Sequence, residues 1–109
     1  MDKLDNFLKY SVLFLYYEEL FSDKQKRYLE LYLEENESLS EIAEKYDITR
    51  QAVFDNIKRG FKQLDEYEEK LKIFEKEKKF REKLEYLKNN FTKENLEKII
   101  EEFNYNEVF

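Results

Sequence analysis

The amino-acid sequence predicts an all-α protein built around a helix-turn-helix, with a charged helical extension at its C-terminal end. Three observations carry this reading. The 109 residues include a single glycine, Gly60, and no proline, which removes the usual punctuation of hairpins and sheets. Apolar residues recur at three- and four-residue steps over most of the chain, the period of amphipathic helices. Serine or threonine stands where most of these runs begin, placed to cap a helix. The length suits one modest core with an appendage rather than two independent cores.

Taken in order, Phe7, Leu8, Val12, Leu13, Leu15, Tyr16 and Leu20 mark a first helix over Asp5 to Leu20. Ser22-Asp-Lys-Gln25 reads as a capping box, with the Ser22 hydroxyl accepting an amide hydrogen and Gln25 reaching back. The second helix then carries Tyr28, Leu29, Leu31, Tyr32 and Leu33 until the polar run Glu34 to Glu37 ends its apolar face. Ser38-Leu-Ser-Glu41 is a second capping box and opens a short third helix over Leu39 to Tyr46. Asp47-Ile48-Thr49 interrupts the pattern. Asp47 tolerates the left-handed backbone of a tight turn, and Thr49 caps the next helix. Helix four begins at Arg50, with Ala52, Val53, Ile57, Phe61 and Leu64 in helical spacing, and nothing stops it before Tyr67 or Leu71.

Beyond Leu64 lysine and glutamate alternate around a narrow seam of Leu71, Phe74, Phe80, Leu84, Leu87 and Phe91. This predicts a long charged helix or helix pair, with a break at Asn89-Asn90. Thr92 caps a last helix carrying Leu96, Ile99, Ile100 and Phe103, and the tail from Asn104 to Phe109 is expected to fray. The expected organisation is a helix-turn-helix domain over residues 1–64, its motif at 39–59, and an extension over 65–109. That extension packs on the domain or on a second subunit, because its seam is too apolar to stand bare. Nine tyrosines and ten phenylalanines predict an aromatic core. The helical spacing of Tyr16, Tyr17, Phe21, Tyr28 and Tyr32 assigns them to packing rather than to a base-stacking platform.

The chain has no cysteine and no histidine, so thiol nucleophiles, zinc-type ligands and the commonest neutral-pH proton carrier are missing. No enzyme activity, cofactor or metal is expected. The glutamate pairs Glu68-Glu69 and Glu101-Glu102 lack the loop geometry of a calcium site and read as solvated surface. No apolar run approaches the roughly 18 residues that span a bilayer. The longest, Val12 to Tyr17, lacks a signal-peptide layout. A cytoplasmic protein without membrane insertion is therefore expected.

A helix-turn-helix requires a small residue in its first helix, a turn of unusual backbone, and an apolar lock between its helices. Ala43 is the small residue and Asp47 the turn. Ile42, Tyr46, Ile48, Val53 and Ile57 form the lock. Thr49, Arg50, Gln51, Phe54, Asp55 and Lys58 would then face a groove, with Arg59 and Lys62 near phosphates. The charge balance opposes this: the chain carries a net −6, with only residues 39–64 on the positive side. Asp55 would repel phosphates or accept from a cytosine amino group, or else cap or brace the fold with Asn56. Phe54 offers only apolar contact, with a thymine methyl or with a protein partner that it anchors, unless the C-terminal helices cover it as core. Gly60, in mid-helix, either permits close packing, the favoured reading, or is a weak point of the helix.

The stretch "SLSEIAEKYDITRQAVFDNIKR", preceded by "LFLYYEELFSDKQKRYLELYLEE" and followed by "LDEYEEKL", resembles the YlxM family of small bacterial proteins. The resemblance implies a fold similar to region 4 of sigma factors, a setting in the signal recognition particle pathway, and no catalytic residues. Asp47 departs from the glycine usual at the family's turn. The expected function is that of a non-enzymatic regulator presenting helix four to DNA or to the particle's RNA, with the extension forming a homodimer. The alternative is a protein-interaction module that docks on a basic protein such as a particle component.

Overall fold

The computed structural model describes the backbone of residues 3–108 and the side chains of residues 6–104. Among the described residues there are six α-helices and no strand: α1 (Lys3–Tyr17), α2 (Asp23–Leu29), α3 (Leu39–Tyr46), α4 (Arg50–Leu71), α5 (Ile73–Asn89) and α6 (Lys93–Val108). The all-α expectation holds. The chain divides into two compact units, Met1–Phe74 and Glu75–Phe109.

In the first unit α4 is the central strut, packed against α1, α2 and α3. Helix α1 turns Leu13, Phe14 and Tyr17 inward, and it ends in a 3₁₀ turn at Glu18–Leu20. Its buried face differs from the expected one. Leu8 and Leu15, counted as core from their spacing, are 54% and 66% exposed, because the bulkier Tyr10, Phe14 and Tyr17 occupy the inner stripe. Tyr10 lies flat on Phe61 at 4.0 Å between centroids, and its hydroxyl donates to Asp65 at 2.7 Å. Lys9 pairs with the same carboxylate at 3.0 Å. That bond to Asp65 pushes the Lys9 ammonium above its ordinary pKa, and burial followed by the Asp65 contact does the same to the Tyr10 hydroxyl.

The two capping boxes behave differently. At Ser38 both halves form: its hydroxyl accepts the Glu41 N–H at 3.1 Å, and the Glu41 carboxylate accepts the Ser38 N–H at 3.0 Å. The backbone N–H of Ser38 holds the Glu41 carboxyl below the usual carboxylate range. At Ser22 only the hydroxyl acts, accepting the Gln25 N–H at 3.3 Å. The Gln25 amide goes elsewhere, donating to the Asn56 carbonyl of α4 at 2.7 Å, so α2 is tied to α4 instead of closing on itself. Helix α2 is also shorter than the apolar pattern suggested. After Leu29 the backbone widens into a π-helical turn at Glu30–Glu34, marked by the Glu35 N–H donating to the Glu30 carbonyl at 3.0 Å.

Gly60 sits buried where α4 crosses α2. A Cβ there would lie 2.8 Å from Leu29 Cδ2 and 2.8 Å from Gln25 Nε2. Neither neighbour can yield freely, since Leu29 is fully buried and Gln25 is held by Asn56. Alanine would gain about 1 kcal/mol of helix propensity, while overpacking a tight site costs about 1–3 kcal/mol. Gly60→Ala is therefore expected to lower the thermal midpoint by several degrees. A midpoint raised by calorimetry would contradict the close-packing role.

Helix α4 stops at Lys72, which takes the left-handed conformation at φ 55°. Its neighbours compensate. The Tyr17 hydroxyl accepts the Ile73 N–H at 3.1 Å and donates to the Glu68 carboxylate, which also accepts the Phe74 N–H at 3.2 Å. This knot keeps residues 65–74 in the first unit. The boundary thus falls after Phe74 rather than after Leu64, where the loss of apolar density suggested it.

The second unit comprises α5 from Glu75 onward and α6. Asn89-Asn90 is the break between them, the Thr92 hydroxyl accepts the Asn95 N–H at 3.0 Å, and the Asn95 amide donates to the Asn90 carbonyl at 2.8 Å. Phe80 meets Phe103 at 5.4 Å between centroids, Lys83 pairs with Glu102, and Leu87 is buried. Phe91, Ile100 and Leu84 remain exposed. The backbone stays helical to Val108, where fraying from Asn104 was expected; Phe109 lies outside the described residues.

Candidate nucleic-acid interface

The turn between α3 and α4 is held by two backbone bonds. Asp47 is left-handed at φ 53°, its N–H donates to the Glu44 carbonyl at 3.3 Å, and the Ile48 N–H donates to the Ala43 carbonyl at 3.0 Å. This is the Schellman pattern, which satisfies the last carbonyls of α3 and aims the chain into α4. The Thr49 hydroxyl then accepts the Ala52 N–H at 3.0 Å, so it is committed to the start of α4. Ile42, Ala43, Val53 and Ile57 are buried between the two helices, and Ile48 is partly buried against them. Tyr46 stays 39% exposed and rests on Tyr28 at 5.0 Å between centroids.

With 100° per residue, Gln51, Asp55, Lys58 and Lys62 form the outward ridge of α4. Arg59 lies on one flank, and Arg50 and Phe54 on the other. All of these side chains are exposed. Two polar contacts lie along this surface: Gln51 donates to Asp55 at 3.0 Å, and Arg59 donates to the Asn56 side chain at 3.0 Å. Asn56 in turn donates to the Ala52 carbonyl at 3.0 Å, which makes it a brace of α4. The cations are disposed unevenly. Lys9, Lys26, Arg27 and Lys45 are in ion pairs with Asp65, Glu19, Glu35 and Glu37. Among the described residues Arg50, Lys58, Arg59 and Lys62 pair with no carboxylate, nor do Lys24, Lys70 and Lys72, so α4 gathers four of the unpaired cations on one exposed face.

Phe54 is 45% exposed and is not sealed into the core. It lines a cavity of about 590 Å³ together with Phe7, Tyr32 and Phe61, with Arg50 and Lys58 at its edge. Reading the sequence by helical period had absorbed Phe7, Tyr32 and Phe61 into the core and missed this cavity. Its signal was the aromatic spacing on α1, the π-helical turn and α4, which becomes a cavity only when those segments are set side by side.

A buried lock, a left-handed turn and an exposed second helix define a helix-turn-helix protein. A family model described as "UPF0122: Putative helix-turn-helix protein, YlxM / p13 like" matches residues 4–103. The chain belongs to this family. It is 52% identical over 98 residues to a UPF0122 protein of Fusobacterium nucleatum, covering 90% of this chain and 95% of that one. A UPF0122 protein of Halalkalibacterium halodurans is 46% identical over 91 residues, 84% of each chain. No helix among the described residues is long and apolar enough to cross a membrane.

Proposed function

We infer that this chain is a non-enzymatic, cytoplasmic regulator that binds nucleic acid through α4, either DNA or the RNA of the signal recognition particle. One observation carries the reading: Arg50, Lys58, Arg59 and Lys62 stand together on the exposed face of α4 with no carboxylate partner among the described residues, while Lys9, Lys26, Arg27 and Lys45 of the same unit are in ion pairs. Nucleic-acid affinity comes chiefly from phosphate contacts, and unpaired cations on a protruding helix are free to make them. Placing this activity in the signal recognition particle pathway rests on the resemblance in the motif region. The exposed Leu84, Phe91 and Ile100 of the second unit supply an association surface for a second copy, and dimeric readers use such two-fold pairing.

Binding of the full chain to labelled duplex DNA and to a particle-RNA hairpin, followed by anisotropy from low to physiological salt, tests the reading. Affinity should fall linearly on a log–log plot. No binding to either probe at low salt would sink it.

A further inference from the structure

The cavity beside α4 has a lining unusual for this molecule. Glutamate and aspartate number 26 of 109 residues, and three other cavities among the described residues each have at least one carboxylate in the wall. This one has none. Its apolar wall is aromatic apart from Leu39 and Ile57, and its rings touch: Phe7 meets Tyr32 edge-on at 6.0 Å, and Tyr32 meets Phe61 at 6.2 Å. Phe61 is backed by Tyr10, so the wall is supported from behind. Phe54 stands at the exposed side, the Asn6 amide adds hydrogen-bonding groups, and Gln51, whose N–H donates to Asp55, adds its side-chain carbonyl. Arg50 and Lys58 flank Phe54 one helical turn to either side.

We propose that this cavity takes an unpaired nucleobase, with the adjoining phosphates held by Arg50 and Lys58, so that the protein prefers single-stranded or looped nucleic acid to a continuous duplex. The inference rests on the nucleic-acid reading and deepens it. Charge complementarity chooses the occupant: the rim is cationic, the wall carries no carboxylate, and the strand brings one phosphate per base. An aromatic wall suits any base because every base has a π-face. Side-chain amides suit the edges of a base that is no longer paired. The ridge argues the same way. Asp55 stands mid-ridge and engages Gln51, so the surface that would enter a duplex groove carries a carboxylate, while the flank beside the cavity carries none.

The test uses the full chain and one oligonucleotide containing 2-aminopurine, presented unpaired and annealed to its complement. The unpaired strand should bind about tenfold more tightly at equal ionic strength, with quenching of its fluorescence as the base stacks. Phe54→Ala should remove the preference and the quenching while the salt slope and the circular dichroism stay unchanged. Phe54→Tyr should keep both, and Phe54→Leu, which preserves bulk without a π-face, should lose the quenching. Equal binding of both probes, unaffected by Phe54→Ala, would overturn the base site and leave nucleic-acid binding standing. Failure of both probes at low salt would overturn the two together. Quenching retained in Phe54→Leu would refute stacking on this residue. Capture of a synthetic acidic amphipathic helix at Phe54, without any preference between the probes, would assign the cavity to a protein partner instead.

Discussion

Replacing Tyr17 with alanine is expected to lower the stability of the first unit by about 3–5 kcal/mol, the range for removing a fully packed aromatic ring. The ring is 1% exposed and lies 5.9 Å from Tyr67 between centroids. Against a typical total of about 5–15 kcal/mol, that loss leaves the variant close to its unfolding transition at room temperature. Tyr17→Phe separates ring from hydroxyl. It keeps the packing and loses the bonds to Glu68 and Ile73, for a cost of about 1 kcal/mol. The pH dependence distinguishes the two contributions. Burial, and next the bond to Glu68, push the hydroxyl from 10.0 up to about 12. A pKa raised by folding means that the hydroxyl contributes fully below pH 10 and that its contribution disappears as pH rises through about 12. Urea midpoints of wild type and Tyr17→Phe should therefore differ below pH 10 and converge over that window. A constant difference would show that the hydroxyl is not the group involved.

Replacing Arg50, Lys58 and Lys62 together with alanine should leave folding nearly untouched and disable binding. These side chains are exposed and among the described residues pair with no carboxylate, so their loss should change stability by less than about 0.5 kcal/mol each. On the nucleic-acid reading each neutralises a phosphate. The slope of log affinity against log salt should become shallower by about 3 on duplex and about 2 on single strands. Affinity at low salt should fall at least roughly tenfold. The informative control is Lys76, Lys78 and Lys88 changed to alanine, which removes the same charge from the second unit. Anisotropy titrations should show binding retained there. An equal loss in both triples would trace the effect to net charge rather than to α4.

Much of the fold was legible because the chain marks its helix ends with local chemistry. Ser38 with Glu41, Thr49, Thr92 and Asp47 act through atoms within a few residues of themselves, so their geometry follows from spacing. Gly60 was legible for a related reason, since a lone glycine inside a helix needs a close neighbour to justify it. The apolar spacing carried helix four as far as Leu71, where it ends, but what stops it there was not legible. Lys72 has no side-chain feature that favours a left-handed turn, and the residues after it are held by Tyr17, far away in the chain, and by Glu68, one turn before it. The inner face of α1 was misjudged because leucine and tyrosine score alike as apolar, and only the shape of the space beside α4 decides which is buried. At the candidate interface the cations were visible in sequence, but that they meet no carboxylate among the described residues is a property of the assembled surface. The cavity beside Phe54 was hidden for the same reason: its walls come from three segments that sequence order keeps apart.

The π-helical turn at Glu30–Glu34 has a consequence for how this domain tolerates change in length. Elsewhere in a helix, deleting one residue swings everything downstream by 100° and turns the apolar face out of the core. Here the backbone bond spans five residues instead of four, so the turn holds one residue more than an ordinary helix uses. Losing one residue from this turn would restore ordinary helical spacing, and since residues 35–38 lead from it to α3 without helix, the change in length falls on that connection. The domain thus carries its slack at one point, between α2 and the Ser38 cap, where a one-residue change of length is absorbed without turning Ile42 and Val53 away from each other.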